Sequence, residues 1–283
     1  ATATPAPEAT PTPVPADPPV WGEQAFRRTF TAGDGTQVMS VSYTLPMVQN
    51  TDACPAGTAI NAWYQTEGHN RLMEAEEQYE MVVADYDVST DAGDFIYARS
   101  FGGDAAATSE FVTAAVGAIR DAGVAAVLKH FPGYGNNADT HTGVAIDKRP
   151  YETFEQSDFL PFQAGIAAGA PFVLVSHNVA ECMDAALPAS LSPAVHEVLR
   201  ETLGFDGIVI TDDLAMDAVK QYANGEAAVL AVLAGNDMLI TSDYQSDIPA
   251  VLAAVADGRI AEREIDAHVL RILRYKQAQG WIK

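Results

Sequence analysis

Asp212 closes an apolar run, Gly207-Ile208-Val209-Ile210-Thr211, and is followed directly by Asp213. A strand that ends in a carboxylate delivers it, ionised, to the rim of a sheet, where it can attack an electrophilic carbon and form an ester. The same position suits an aspartate that caps the next helix, so spacing alone leaves both roles open. A second group of interest lies in the loop KHFPGYGNNADTHTG, residues 129–143, where Asp139 and His141 are separated by one residue. A carboxylate that close orients the imidazole and raises its pKa, giving a group that serves as acid and then as base. A self-satisfied surface loop is the alternative. The flanking glycines and proline suit a mobile loop that delivers the acid. A nucleophilic carboxylate facing an acid is what cleavage of a glycosidic bond with retention requires. Lys129 and His130 stand at another strand end as donors for sugar hydroxyls, or as a structural buried pair. A metal site from His130, Asp139, His141 and His177 is chemically conceivable, but its spacing matches no helical zinc motif.

These residues need elements to position them. After Asp87, short apolar strands are expected at Ala125 to Lys129, Phe172 to Ser176, Gly207 to Thr211 and Asp237 to Thr241. They alternate with amphipathic helices such as Glu110 to Asp121 and Ala194 to Leu203. This alternation predicts an α/β fold with a parallel sheet and crossover helices, either a (β/α) barrel or an open doubly wound sheet. Gly102-Gly103 and Gly133/Gly135 do not make a dinucleotide fingerprint. Polar pairs fall instead at strand C-terminal ends, Lys129-His130, Ser176-His177 and Asp212-Asp213, where barrel enzymes hold their sites.

The chain before this is different. Residues 1–20 alternate Pro with Ala, Thr and Glu, a composition that favours extended polyproline geometry and offers no core. They are read as a disordered tether, with a plain interdomain linker as the alternative. If a signal or anchor segment has been removed upstream, the tether places the protein outside the cytoplasmic membrane. Residues 21–86 are expected to form a small α+β module: a hairpin within Thr29 to Val48 turning at Gly33-Asp34-Gly35, then a helix from Ala56 to Glu80. Met81 to Asp87 can form a further strand. Lys+Arg 16 against Asp+Glu 38 gives a formal charge of −22, which repels a polyphosphate backbone and argues against nucleic acid as a partner. Cys54 and Cys182 lie far apart, outside any ligand spacing, and are expected to be buried small hydrophobes. No apolar run reaches the roughly 18 residues that a spanning helix needs.

The motifs KHFPGYGNNADTHTG, VLVSHN (173–178), LPASLSP (187–193) and GFDGIVITDDLAMDA (204–218) resemble the β-N-acetylglucosaminidases of glycoside hydrolase family 3. So does DVSTDAGDFIYARSFGGD at 87–104, and the likeness runs on to a terminal helix, Ile265 to Lys276. It implies a TIM-type (β/α) barrel portion over 87–283, with Asp212 as nucleophile and Asp139 with His141 as the acid/base. Lys129, His130 and Arg99 are implied as sugar ligands, and His177 lines the same mouth. No metal or cofactor is implied. The implied partners are amino-sugar oligosaccharides, as in peptidoglycan fragments or chitooligosaccharides, and some relatives are phosphorolytic. Two departures stand out. Tyr134 replaces a second His of the broader family, a position with no assigned chemistry. The sequence before Tyr86 also lacks the Asp-Gln-Glu-Gly-Gly-like segment of the third barrel unit. The barrel is therefore expected to lack about its first three strand-helix units, which leaves a catalytically impaired, carbohydrate-binding protein as the other reading.

Overall fold

The structure is a computed structural model and describes residues 26–31, 37–42, 81–97, 99–121, 124–137 and 143–280. The expected tether, the Gly33 turn, the helix at Ala56 to Glu80 and the Asp139/His141 pair lie outside the described residues. The chain divides into two compact units, Ala1–Pro46 and Met47–Lys283. In the first, β1 (Phe26–Thr31) and β2 (Gln37–Ser42) pair antiparallel, with Phe26 opposite Ser42 and Thr31 opposite Gln37. This is the expected hairpin, begun three residues earlier than Thr29.

In the second unit, β3 (Met81–Asp85), β4 (Ala125–Phe131), β6 (Phe172–Val175), β8 (Ile208–Asp213) and β9 (Met238–Ile240) form a parallel five-stranded sheet in that order. Strand order follows chain order, with no reversal of the kind that marks a doubly wound sheet. A two-stranded parallel piece, β5 (Ile146–Asp147) with β7 (Val179–Ala180), forms a separate small sheet. The crossovers carry α1 (Ala105–Asp121), α2 (Phe159–Ala167), α3 (Pro193–Glu197), α4 (Asp217–Ala223) and α5 (Ala227–Ala234). Then come α6 (Tyr244–Ala256) and α7 (Glu262–Ala278).

Side chains alternate across the strands, as a pleated sheet requires. Leu128, Val173, Val175 and Val209 face the helices and pack with Val112, Phe159, Phe162 and Leu199. Val127, Phe172, Leu174, Ile208 and Ile210 face the other way, where Ile272 and Tyr275 of α7 close over them. The Tyr275 ring meets Phe172 edge-on, 5.1 Å between centroids.

Local differences from the sequence expectations have local causes. Helix α1 begins five residues before the expected Glu110, because Asp104 Oδ1 accepts the Ala107 N–H at 2.9 Å and caps an earlier start. Helix α3 starts behind Ser192, whose side chain accepts the Val195 N–H, and passes into a π-helical segment at Val198–Thr202. Cys182 is exposed, not buried as expected, because it sits in the turn that leaves β7. No helix among the described residues is long and apolar enough to cross a membrane.

Candidate active site

The C-terminal ends of β3, β4, β6 and β8 gather the polar residues. Asp212 and Asp213 are the last two residues of β8 and half-buried. Asp212 Oδ1 accepts the backbone N–H of Asp213 at 2.8 Å, while its second oxygen makes no hydrogen bond among the described residues. Burial alone would raise the Asp212 pKa. The imidazoles of His130 and His177, the Asp213 N–H and the Lys129 ammonium outweigh it and hold the carboxyl below its ordinary value. It is thus an ionised carboxylate with one oxygen fixed and one available. Asp213 works differently, as a tie between the end of β8 and the loop after β9. Its Oδ1 accepts the N–H groups of Ala215 (2.9 Å) and Ser242 (3.0 Å), and its Oδ2 the Ser242 hydroxyl.

His177, two residues beyond β6, is buried with both ring nitrogens engaged. Nε2 lies 3.0 Å from the Asp213 carbonyl and Nδ1 2.7 Å from Ser190 Oγ. A carbonyl only accepts, so Nε2 carries the proton and Nδ1 accepts from the serine hydroxyl. Burial lowers the His177 pKa against the upward pull of Asp212 and Asp213. His177, expected to line the mouth and contact the substrate, has both ring nitrogens engaged within the protein and so braces the end of β8.

His130, on β4, gives its Nδ1 to Asp87 Oδ2 at 2.8 Å, and its backbone N–H goes to the same oxygen at 3.1 Å. Asp87 Oδ1 accepts the Tyr134 N–H at 2.7 Å, so one buried carboxylate sets both the imidazole and the start of the glycine loop. Lys129 Nζ lies 3.1 Å from Asp85 Oδ1, and Arg99 Nε lies 2.9 Å from Asp85 Oδ2. Burial would raise the Asp85 pKa; His130, Lys129 and Arg99 bring it below its ordinary value. Lys129, His130 and Arg99 are therefore brought together by two carboxylates, Asp85 and Asp87, whose role no local motif marks. Asp87 opens the motif at 87–104 and Asp85 lies two residues before it, yet in sequence their only signal is a charge at the end of an apolar strand. Asp85, Asp87 and His130 also have the proximity of a metal-binding group, but Asp85 is already occupied by an ammonium and a guanidinium. His177 is likewise committed, so the conceivable His130/Asp139/His141/His177 metal site loses a ligand.

The loop that carries Asp139 and His141 is described at its two bases. Arg149 Nε and Nη2 bond Asp147, and Nη1 and Nη2 bond Asp158 at 2.9 and 3.1 Å. The guanidinium carbon also lies 4.4 Å from the Phe154 ring centroid. Asn137 Nδ2 joins the two bases, donating to Asp147 Oδ2 at 2.8 Å and to the Tyr134 carbonyl at 2.7 Å. Gly133 and Gly135 lie against this cluster: a Cβ on Gly133 would stand 2.2 Å from Asp158 Oδ1, and one on Gly135 2.5 Å from the Arg149 guanidinium carbon. Two carboxylates share one cation, leaving a net negative charge. Burial pushes the Asp158 pKa up to about 6 against the pull of Arg149. An open depression of about 450 Å³ lies beside these bases, lined in part by Asn136, Ile146 and Lys148.

The family model described as "Glycosyl hydrolase family 3 N terminal domain" matches residues 82–275. A β-hexosaminidase of Stenotrophomonas maltophilia (strain K279a) is 36% identical over 243 residues, 84% of this chain and 70% of that protein. A β-hexosaminidase of Xylella fastidiosa (strain 9a5c) is 39% identical over 164 residues, 57% of this chain and 48% of that protein. Among solved structures, a glycoside hydrolase family 3 β-N-acetylglucosaminidase from Paenibacillus sp. superposes with a TM-score of 0.69 at 36% identity. That match covers 74% of this chain and 41% of the Paenibacillus chain, so this chain spans less than half of it. A family 3 glycosyl hydrolase from Mycobacterium smegmatis gives a TM-score of 0.64 at 32% identity, covering 71% of this chain and 64% of that one.

Proposed function

The chain belongs to glycosyl hydrolase family 3, among its β-N-acetylglucosaminidases, and from that membership we propose that it releases terminal β-linked N-acetylglucosamine with retention, through an ester on Asp212. The observation that carries this reading is the Asp212 carboxylate: ionised, anchored at one oxygen by the Asp213 N–H and open at the other. In the first step the open oxygen attacks the anomeric carbon as the glycosidic C–O bond breaks. The His141 imidazolium, oriented by Asp139, gives its proton to the departing oxygen. In the second step the now neutral imidazole takes a proton from water, the water oxygen attacks the same carbon, and Asp212 leaves as a carboxylate. Arg99, Lys129 and His130 hold the sugar hydroxyls. Peptidoglycan fragments or chitooligosaccharides suit this site as substrates, and the Pro-rich composition of residues 1–20 supports an extracytoplasmic position.

A second reading draws on a different observation. Strand β9 borders the described sheet with Met238 and Ile240 exposed, and the expected lack of the first strand-helix units would leave a barrel open. On this reading the chain binds the sugar without turning it over. Hydrolysis of an aryl β-N-acetylglucosaminide by the wild type and Asp212→Ala separates the two. Turnover that disappears in the variant supports the first reading, and sugar binding without turnover supports the second. Equal rates in both proteins overturn the nucleophile.

A further inference from the structure

Asp85 is the last residue of β3, directly opposite Lys129 in the parallel register. Its side chain is 6% exposed, too enclosed to be a principal contact for a ligand, yet it meets both cations of the mouth: Arg99 Nε at 2.9 Å and Lys129 Nζ at 3.1 Å. His130 Nδ1 stands 3.8 Å away but is committed to Asp87. A buried carboxylate is expensive to keep and is poor evidence of a stabilising role. This one lies among the groups of the site, and its Oδ1 faces the ammonium without an aligned hydrogen bond.

We propose that Asp85 is a positioning residue, which holds the Lys129 ammonium and the Arg99 guanidinium toward the amino sugar and keeps Lys129 from pairing with Asp212. This rests on the family 3 reading of the site. Lysine is a point charge on a flexible stem with three donors, so its direction is set by whichever anion it meets. Lys129 acts on Asp212 electrostatically but forms its ion pair with Asp85. Were it to pair with Asp212 instead, it would withdraw charge from the attacking oxygen and its ammonium donors from the sugar at once. Arg99 is held by Nε alone, which leaves its outer nitrogens without a hydrogen bond among the described residues and free for a ligand.

The test is a double-mutant cycle on Asp85→Asn and Lys129→Met, read as KM and kcat on an aryl β-N-acetylglucosaminide. Asn keeps the shape of the carboxylate and removes its charge. Asp85→Asn is expected to raise KM about 10- to 100-fold, the range lost with a hydrogen bond to a charged group. On the Lys129→Met background the same change should raise KM much less, because the group it positions is gone. Equal increases on both backgrounds, or an unchanged KM with a lowered melting temperature, would mean a purely structural role and overturn the proposal. A calorimetric titration of the same glycoside into Asp212→Ala, with and without Asp85→Asn, repeats the comparison without turnover. If the wild type binds but does not hydrolyse, the hydrolase reading fails while this titration still decides the role of Asp85. A chain that binds no glycoside overturns both.

Discussion

His177 Nε2 donates to the carbonyl of Asp213 across 3.0 Å, joining the end of β6 to the residue that follows Asp212, 36 positions away in sequence. Asp213 in turn gives its N–H to Asp212. The carboxylate is therefore aimed by a chain of fixed groups, Ser190 to His177 to Asp213 to Asp212, and not by a side chain that could swing.

Removing the brace should act on the nucleophile and not on the acid. His177→Ala is expected to lower stability by about 2–4 kcal/mol, from the lost buried hydrogen bonds and the cavity left behind. It should lower kcat to a similar degree for glycosides with good and with poor leaving groups. Denaturant unfolding and a leaving-group series measure the two effects; a loss confined to poor leaving groups would assign His177 to proton transfer instead.

Gly133→Ala should damage the base of the acid/base loop. Gly133 has φ +131°, and its Cβ would lie 2.2 Å from Asp158 Oδ1 and 2.5 Å from Asp158 Cβ. Neither the backbone nor the ion cluster can yield without cost, and a loss of about 2–4 kcal/mol is expected by thermal or denaturant unfolding. At Gly117, where nothing lies within 4 Å of an added Cβ, alanine should be tolerated or slightly stabilising.

The Arg149 cluster sets a pH signature with a definite sign. Burial lifts the Asp158 pKa from 3.8 to about 6 in the folded chain, so the folded state holds this proton more tightly than the unfolded one. Its contribution to stability is full below about pH 4 and is lost as pH rises through 6, a difference of about 3 kcal/mol at most. The buried imidazoles of His177 and His196, lowered from 6.5, act oppositely: their contribution is present above 6.5 and is lost as pH falls. The group is isolated by comparing unfolding free energies of the wild type and Asp158→Asn. The variant should gain relative to the wild type between pH 4 and pH 7, and a constant difference would refute the assignment.

The strands that carry Lys129, His130 and Asp212 were legible because each is a short apolar run that ends abruptly in charge, a pattern fixed by sheet geometry. Their partners were less so. Asp87 serves His130 and Tyr134 from 43 and 47 residues away, and no local spacing announces such a pairing. Asp85 reads in sequence as one more strand residue, and only the register that sets it opposite Lys129 gives it a role. His177 follows a strand at the expected place, yet its two hydrogen bonds, from the Ser190 hydroxyl and to the Asp213 carbonyl, make it a brace. Arg149, Asp147 and Asp158 look in sequence like ordinary surface charges; packing alone gathers them against Gly133 and Gly135. Helix α1 starts earlier than its apolar spacing indicates because the Asp104 side chain caps it.

Catalysis through an ester requires that the open oxygen of Asp212 become covalently bound to the sugar. A 5-fluoro N-acetylglucosaminide with a good leaving group forms such an ester faster than the ester is hydrolysed, so the intermediate accumulates and survives digestion. Mass spectrometry of the treated chain should show one added sugar on the peptide that contains Asp212. A label on any other residue, or brisk hydrolysis of an ordinary aryl glycoside by Asp212→Ala, would contradict this mechanism.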